Sequence, residues 1–533
     1  MNHARSSNGS SMAQRTAALL LCVVASGVAA GCSDAPSTDS GSGAVGGAKA
    51  APPASGQRPL IVVGADGLEW ELLLQFFAKG ALPNLAALAQ EGCAGELATL
   101  DITLSPIIWT TVVTGKLPGD HGIKGFTYRG GDDLPHLFLS MHRQSKALWN
   151  LYDEAGLVTE VVGWWCTYPV EPIRGGMVAQ TSTRAQADIS DGGKLWKGSY
   201  LAGVQNQVWP EERAARMDAH AQELFEAIQA GRDPYAERFG PAPAPERKLP
   251  TQLWSVLRTA HYADLLFTAA ALDVVDAPQR PDALLLYLGS VDVASHMFWR
   301  YFEPAAFDDR PNEADVARFG GMIETAYRFI DATVGELRRR APEADFLLLS
   351  DHGFHAVARK EAFPDERVGR ADSGNHQDAP PGVFLAAGPC WKKQPLKSGA
   401  TRGDVAPIGR VEDVLPTLLV RAGLPYAKDG AGKPLLHVLS AEARAAHPLR
   451  SVATHDDPEW KRRRAELLQK ISAFERHFEA ELRSVDGPNL EQLRALGYTG
   501  DDGVDLPTGP PRDADGALPR DGDGASPRDG DRK

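Results

Sequence analysis

Three short apolar runs in this chain each give way to an aspartate within a few residues. Leu60 to Val63 leads to Asp66, Leu284 to Leu288 leads to Asp292, and Phe346 to Leu349 leads to Asp351. Runs this short and this continuously apolar read as strands buried on both faces, the pattern of a parallel sheet. Helical stretches separate them: Glu69 to Gly80, Leu82 to Glu91, Leu253 to Val275 and Val316 to Arg340. Alternation of strand and helix with right-handed crossovers predicts an α/β fold, a largely parallel central sheet flanked by helices. In such sheets ligands gather beyond the carboxyl ends of the strands, where the three aspartates stand.

Three histidines share that setting. His296 follows Asp292 by four residues, which puts both on one face of a helical turn. His352 adjoins Asp351 ahead of Gly353, and His376 precedes the short strand Val383 to Ala386. Taken singly, each pair reads as a hydrogen-bonded turn. Together, Asp66, Asp292, His296, Asp351, His352 and His376 supply oxygen and nitrogen ligands for two divalent ions, the inventory of a two-metal hydrolase. His121 reads instead as the brace of a turn. Between the first two strands, Thr111 to Thr114 is β-branched and closed by Gly115, Pro118-Gly119 and Gly122, so that region is expected to be rich in turns. Val158 to Trp165 reads as a further strand, and Val411 to Ala422 as a helix.

These motifs, in this order, resemble the alkaline phosphatase superfamily, and within it the type I phosphodiesterase/nucleotide pyrophosphatase-like branch. The resemblance covers about Leu60 to Val438. It rests on GADG at Asp66, SPIIWTTVVTGKLPGDHGI, DVASH, SDHGF, GNH and VEDVLPTLLVRAGLP. In the family a Ser or Thr nucleophile lies ten residues before the Gly of the TG pair, and counting back from Gly115 gives Ser105; Thr103 and Thr110 are rival hydroxyls. The resemblance implies that Asp66, Asp351, His352 and Ser105 share one metal, and Asp292, His296 and His376 the other. The family ions are usually zinc. It further implies a phosphoester hydrolase of phosphodiesterase or nucleotide pyrophosphatase type, working through a phosphoseryl intermediate on a phosphorylated small-molecule or lipid substrate. One departure stands out: nucleotide pyrophosphatases carry an Asn shortly after HGI, whereas Ile123 is followed here by Lys124, Gly125 and Phe126, which leaves Lys124 or Arg129 as substitutes.

The rest of the chain bears on address and layout. Arg15, the apolar run Ala17 to Ala25 and the string Gly27-Val28-Ala29-Ala30-Gly31-Cys32 read as an export signal over residues 1–31. The string resembles a bacterial lipobox, which implies a lipid on Cys32 and a place in the cell envelope. Residues 32–58, rich in Gly, Ser, Ala and Pro, form a tether with an end-to-end distance on the order of 28 Å. The catalytic domain is expected over 59–440, with an inserted cap region at about 181–250, a helical extension over 441–500 and a disordered tail over 501–533. In the extension, Asp457-Pro458-Glu459 starts a helix whose Leu467, Leu468, Ile471, Phe474, Phe478 and Leu482 form a packing stripe, with Arg462 to Arg464 its solvated flank. Five cysteines without a CxxC spacing leave Cys93, Cys166 and Cys390 for at most one disulfide. A net charge of −13 argues against a nucleic-acid-binding surface.

Alternatives within the superfamily lack their marks. A sulfatase or phosphonate monoester hydrolase needs Cys/Ser-x-Pro-x-Arg, and Ser105-Pro106 has neither the spacing nor the Arg. A phosphoethanolamine transferase would bring membrane helices, and a cofactor-independent phosphoglycerate mutase is cytosolic. A phosphomonoesterase or a phosphonate/sulfate ester hydrolase of the same superfamily, or a non-catalytic envelope-anchored binding module on this fold, are the alternatives carried forward.

Overall fold

A computed structural model describes residues 55–129, 135–180, 200, 206–357 and 373–482. The signal, nearly all of the tether, the tail and the first part of the insertion lie outside the described residues. The strands of the central sheet are β1 (Leu60–Ala65), β2 (Cys93–Ala98), β3 (Thr159–Val162), β4 (Gly175–Val178), β5 (Val208–Trp209), β6 (Ala283–Leu288), β7 (Asp345–Leu349), β8 (Gly382–Ala387) and β9 (Pro407–Arg410). The helices that matter below are α1 (Trp70–Ala78), α2 (Pro83–Glu91), α3 (Ser105–Thr114), α4 (Ala214–Gln229), α5 (Lys248–Asp276), α6 (Ser290–Phe302), α7 (Met322–Arg340), α8 (Val414–Arg421), α9 (Ala441–Ala446) and α10 (Pro458–Leu482).

The sheet runs β9-β2-β8-β7-β1-β6-β3-β4-β5. Its centre is parallel, because β1 pairs with both β6 and β7, and β3 with both β6 and β4. The antiparallel member on one side is β8, held between β7 and β2. Leu60 faces both Ala283 and Asp345, so the three central strands start level and end level. That register brings Asp66 and Asp351 out at one edge of the sheet and starts α6, with Asp292 in its first turn, at the same edge.

The period-two alternation of each strand divides the core. Ile61, Val63 and Ala65 join Leu284, Leu286, Leu288, Phe346 and Leu348 beneath α1, α2, α5, α6 and α7. Leu60 and Val62 join Leu285, Tyr287, Leu347 and Leu349 against α3 and α8 on the other face. Because both faces are covered, these strands read as continuous apolar runs. In the stretch expected as an inserted cap, α4 packs Met217, Ala221 and Leu224 into the first of these cores.

Three expectations are corrected. Thr111 to Thr114 forms the end of α3, a helix buried at every residue. Pro106 stands in its first turn and Gly115, at φ 62°, ends it, so both boundary residues favour helix. Burial between the sheet and α8 outweighs the weak β preference of its threonines and valines. On α10, Arg464 belongs to the interior, not to a solvated flank: it is 4% exposed. One of its nitrogens donates to the Ser140 carbonyl, and it lies 3.4 Å from Glu171. Leu468, assigned to the packing stripe, is 37% exposed. Among the described side chains Trp460 and Arg464, a turn apart, make the contact, while Leu467 is half-buried and the side chains of Ile471, Phe474, Phe478 and Leu482 lie outside the described ones. The three described cysteines are free thiols.

Candidate metal centre

The chain reaches the site first through Asp66. Gly67 follows at φ 74°, where a side chain would also collide with Phe354, so the loop after β1 requires glycine. Gly64, inside β1, has no room for a Cβ against the Trp109 ring, and this lets α3 lie directly on the strand. The Trp109 N–H then donates to Asp66 Oδ2 at 3.0 Å, and the Tyr287 hydroxyl donates to the same oxygen at 2.6 Å. Asp66 Oδ1 is left without a hydrogen-bond partner, as are Asp351 Oδ2 and His352 Nε2. His352 Nε2 lies 3.4 Å from Asp66 Oδ1 and 3.3 Å from Asp351 Oδ2.

A second triad stands beside the first. His296 Nε2 is 3.5 Å and His376 Nε2 is 3.8 Å from Asp292 Oδ1. In each triad the facing atoms lie within 4.8 Å of one another. The imidazoles of His352 and His376 stack with centroids 4.0 Å apart, which places the triads side by side. All six residues are buried.

Hydrogen bonding fixes the imidazoles. His296 Nδ1 donates to the Gly374 carbonyl at 3.0 Å, and His352 Nδ1 to the Gly353 carbonyl at 3.1 Å. His376 Nδ1 lies 3.2 Å from Thr103 Oγ1. With Nδ1 occupied in this way, the Nε2 lone pairs point at carboxylate oxygens. Lone pairs facing lone pairs in a dry site suit a cation between them. For a tetrahedral zinc ion with bonds of about 2.0–2.1 Å, ligand atoms stand about 3.3–3.4 Å apart, which the two His352–carboxylate distances of the first triad match.

Charge tells the same story. Burial, then the Asp66 and Asp292 charges, push the Asp351 carboxyl well above the usual carboxylate range. Burial acts the same way on Asp66, but the His352 imidazole and the Tyr287 and Trp109 donors outweigh it and hold that carboxyl low. Burial, then the neighbouring His352 and His296, keep His376 neutral. Carboxylate charge crowded into one dry pocket with imidazole nitrogens is the setting in which a bound dication offsets the cost of burial.

Ser105 is the first residue of α3 and is 2% exposed. Two residues before it Thr103 touches His376 of one triad, and four residues after it Trp109 touches Asp66 of the other. The start of α3 has no side-chain cap; Pro106 has no N–H and those of Ile107 and Ile108 donate to the Leu104 carbonyl, which leaves the Ser105 N–H and the helix dipole to suit an anion there. Of the rival hydroxyls, Thr110 is spent within its own helix on the Pro106 carbonyl at 2.7 Å. Lys124 is exposed. His121 is a brace: buried, it takes the Ile123 N–H on Nδ1 and meets Thr111 of α3 through Nε2, both at 3.1 Å.

Several supporting residues escape a reading of the sequence. Asp264 on α5 accepts from the N–H groups of Gly289 and Ser290 at 2.8 and 2.9 Å, capping the helix that carries Asp292 and His296. Its signal is an acid on the apolar stripe of Leu253, Leu257 and Ala271. Tyr287, a phenol in an otherwise aliphatic strand, offers a similar one. Trp164 is core, packed edge-on to Trp109, whereas the partly buried Trp165 lies between the rings of Phe126 and Tyr287.

A mostly parallel sheet bearing these triads at the carboxyl ends of its strands defines a protein of the alkaline phosphatase superfamily. The chain belongs to the type I phosphodiesterase / nucleotide pyrophosphatase family, which matches residues 60–401, and is a hydrolase acting on phosphoester bonds. Among solved structures, human ectonucleotide pyrophosphatase/phosphodiesterase 5 is similar at 12% identity and a TM-score of 0.40, over 72% of this chain and 100% of that one. An inactive form of the murine counterpart, in complex with AMP, gives the same values. Phosphonoacetate hydrolase from Sinorhizobium meliloti is similar at 14% identity and a TM-score of 0.34, over 56% of this chain and 57% of that one. No curated protein sequence matches the chain.

Proposed function

We propose that this protein hydrolyses phosphodiesters or nucleotide pyrophosphates with Ser105 as nucleophile, at a pair of divalent ions, zinc by preference. The observation that carries the reading is the convergence of acceptor atoms in the two triads, with Ser105 on the segment that touches both. Asp66, Asp351, His352 and Ser105 would hold one ion, and Asp292, His296 and His376 the other. When bound, the ions supply Lewis-acid stabilisation of charge on phosphoryl and leaving oxygens, and ease ionisation of the serine hydroxyl. Ser105 Oγ gives up its proton and bonds to phosphorus in line, and the leaving alcohol departs and is protonated. Water then cleaves the phosphoseryl ester, which restores the hydroxyl and releases the second product. The start of α3 offers the Ser105 N–H and the helix dipole to the developing negative charge.

A phosphomonoester substrate is the second reading, favoured by the missing Asn after Ile123 and the exposed Lys124 at that place. Purified protein loaded with zinc is assayed on bis-p-nitrophenyl phosphate and p-nitrophenyl phosphate, with metal content determined alongside. Ser105→Ala is expected to lose at least about 10³ in kcat while still folding. Silence of the loaded wild type on every phosphoester would make the protein a binding module.

We propose further that the domain is exported and held to a membrane of the cell envelope by a lipid on Cys32. Cys32→Ser is expected to move the protein from the membrane fraction to the soluble one.

A further inference from the structure

The end of the sheet opposite the triads carries a feature the hydrolase reading does not use. A cleft of about 1080 Å³ opens there between the ends of α2 and α7, the segment after β8 and the start of α9. Its walls include Arg338, Arg339, Lys392 and Lys393, set against Glu91 and Glu442. Arg338 pairs with Glu91 and Arg339 with Glu336, but Lys392 and Lys393 are exposed and have no ion-pair partner among the described residues. Arg444 on α9 and Arg450 beyond it extend the positive surface, and beside Arg450 Leu449 stands 50% exposed. Cations and an exposed leucine gathered at one pole are notable in a chain of net charge −13.

The polypeptide enters the sheet at this same pole. One Arg58 nitrogen donates to the Glu343 carbonyl, and the Pro59 carbonyl accepts from the Asp345 N–H at 2.8 Å. Gln57 donates to the Ala422 carbonyl at 3.3 Å, at the end of α8. The residues preceding Ser55, including Cys32, therefore join the domain beside the basic cleft. The triads stand beyond the far ends of strands about 20 Å long.

From this coincidence we infer that the basic pole is a docking surface for the anionic face of the membrane that holds the anchor. Docking there turns the triads away from the bilayer, toward water-soluble phosphoesters. The inference rests on the lipid-anchored reading for its biological setting, yet its test needs no lipid on the protein. Basic residues near an anionic surface each add to binding and lose their effect within a Debye length, so the attraction is salt-sensitive.

The mature chain from residue 32, carrying Cys32→Ser, is mixed with vesicles of phosphatidylcholine alone or with about a third phosphatidylglycerol, and binding is read by flotation. Binding only to the anionic vesicles, lost in high salt, is expected. Lys392→Glu with Lys393→Glu is expected to weaken it by at least about tenfold. Arg462→Glu with Arg463→Glu, an equal charge change on the exposed face of α10, is expected to leave it intact. Equal binding to both vesicles, binding to neither, or equal loss in both double variants overturns the inference. So does protection of Lys392 and Lys393 from acylation by inorganic phosphate without vesicle binding, which would make the cleft a small-anion site. Failure of Cys32 lipidation, read from the mass of the mature N-terminus, is a separate outcome that leaves the vesicle result standing.

Discussion

The two oxygens of Asp66 have different work. Oδ2 is anchored by Trp109 and Tyr287, and Oδ1 is left to face His352. Tyr287→Phe removes one anchor and keeps the packed ring, so metal affinity measured by chelator competition is expected to fall about 10- to 100-fold. Asp264→Asn trades an acceptor oxygen for a donor and strands the N–H of Gly289 or Ser290. A cost of about 1–3 kcal/mol in denaturant unfolding is expected, with weaker metal binding by Asp292 and His296. Unchanged affinity in the folded variant would reduce Asp264 to a structural cap. His121 tests pH. Burial, then the Arg143 charge, lower it to about 3 from an ordinary value of 6.5. Between those values the unfolded chain binds the extra proton, so stability rises with pH across that window. The stability lead of wild type over His121→Gln is therefore expected to be larger at pH 7.5 than at pH 5. The six triad residues were legible because their types and strand-end positions are local properties. Thr103 and Tyr287 were not, since their partners His376 and Asp66 lie 273 and 221 residues away.

At the scale of elements, α3 and α10 part company with a local reading for opposite reasons. The threonines and valines of α3 favour strand weakly, but its buried setting and its Pro and Gly boundaries decide for helix. α10 has a legible start: Asp457 accepts the Trp460 N–H at 2.8 Å and its other oxygen pairs with Lys146. What docks it is less visible, because Arg464 looks like one of three equivalent surface arginines. Its neighbours decide otherwise: Trp460 packs against its guanidinium, while Arg143 and Glu171 complete a buried group. Arg464→Ala leaves Arg143 on Glu171, so the loss is expected near the lower end for a broken buried pair, about 3 kcal/mol. Thermal unfolding checks it; a change under about 1 kcal/mol would mean that Trp460 alone holds the helix.

For the whole molecule, the sheet separates two poles. Buried acids and imidazoles collect at the carboxyl ends of the parallel strands, while exposed cations stand at the other end where the chain enters. Removing the proposed ions from the first pole would leave its carboxylates uncompensated. Chelation is expected to lower the unfolding temperature as well as abolish activity, and zinc to restore both. At a thousandfold excess over Kd each bound ion contributes about 4 kcal/mol. An unfolding temperature indifferent to chelator would remove the metal reading from these triads. Among the described residues no single helix is long and apolar enough to cross a membrane.

Taken alone, the order of residues determined the alternation of strand and helix, the identity of the six triad residues and the start of α10. These depend on period, side-chain chemistry and chain neighbours, which any sequence displays. Only the tertiary structure decided which oxygen of Asp66 is left to face His352, that Asp264 caps α6, that Arg464 is interior, and that the entry of the chain lies beside a basic cleft. Each of those depends on groups far apart in the chain meeting where water is excluded or charge accumulates, and distance in space is not written in neighbouring letters.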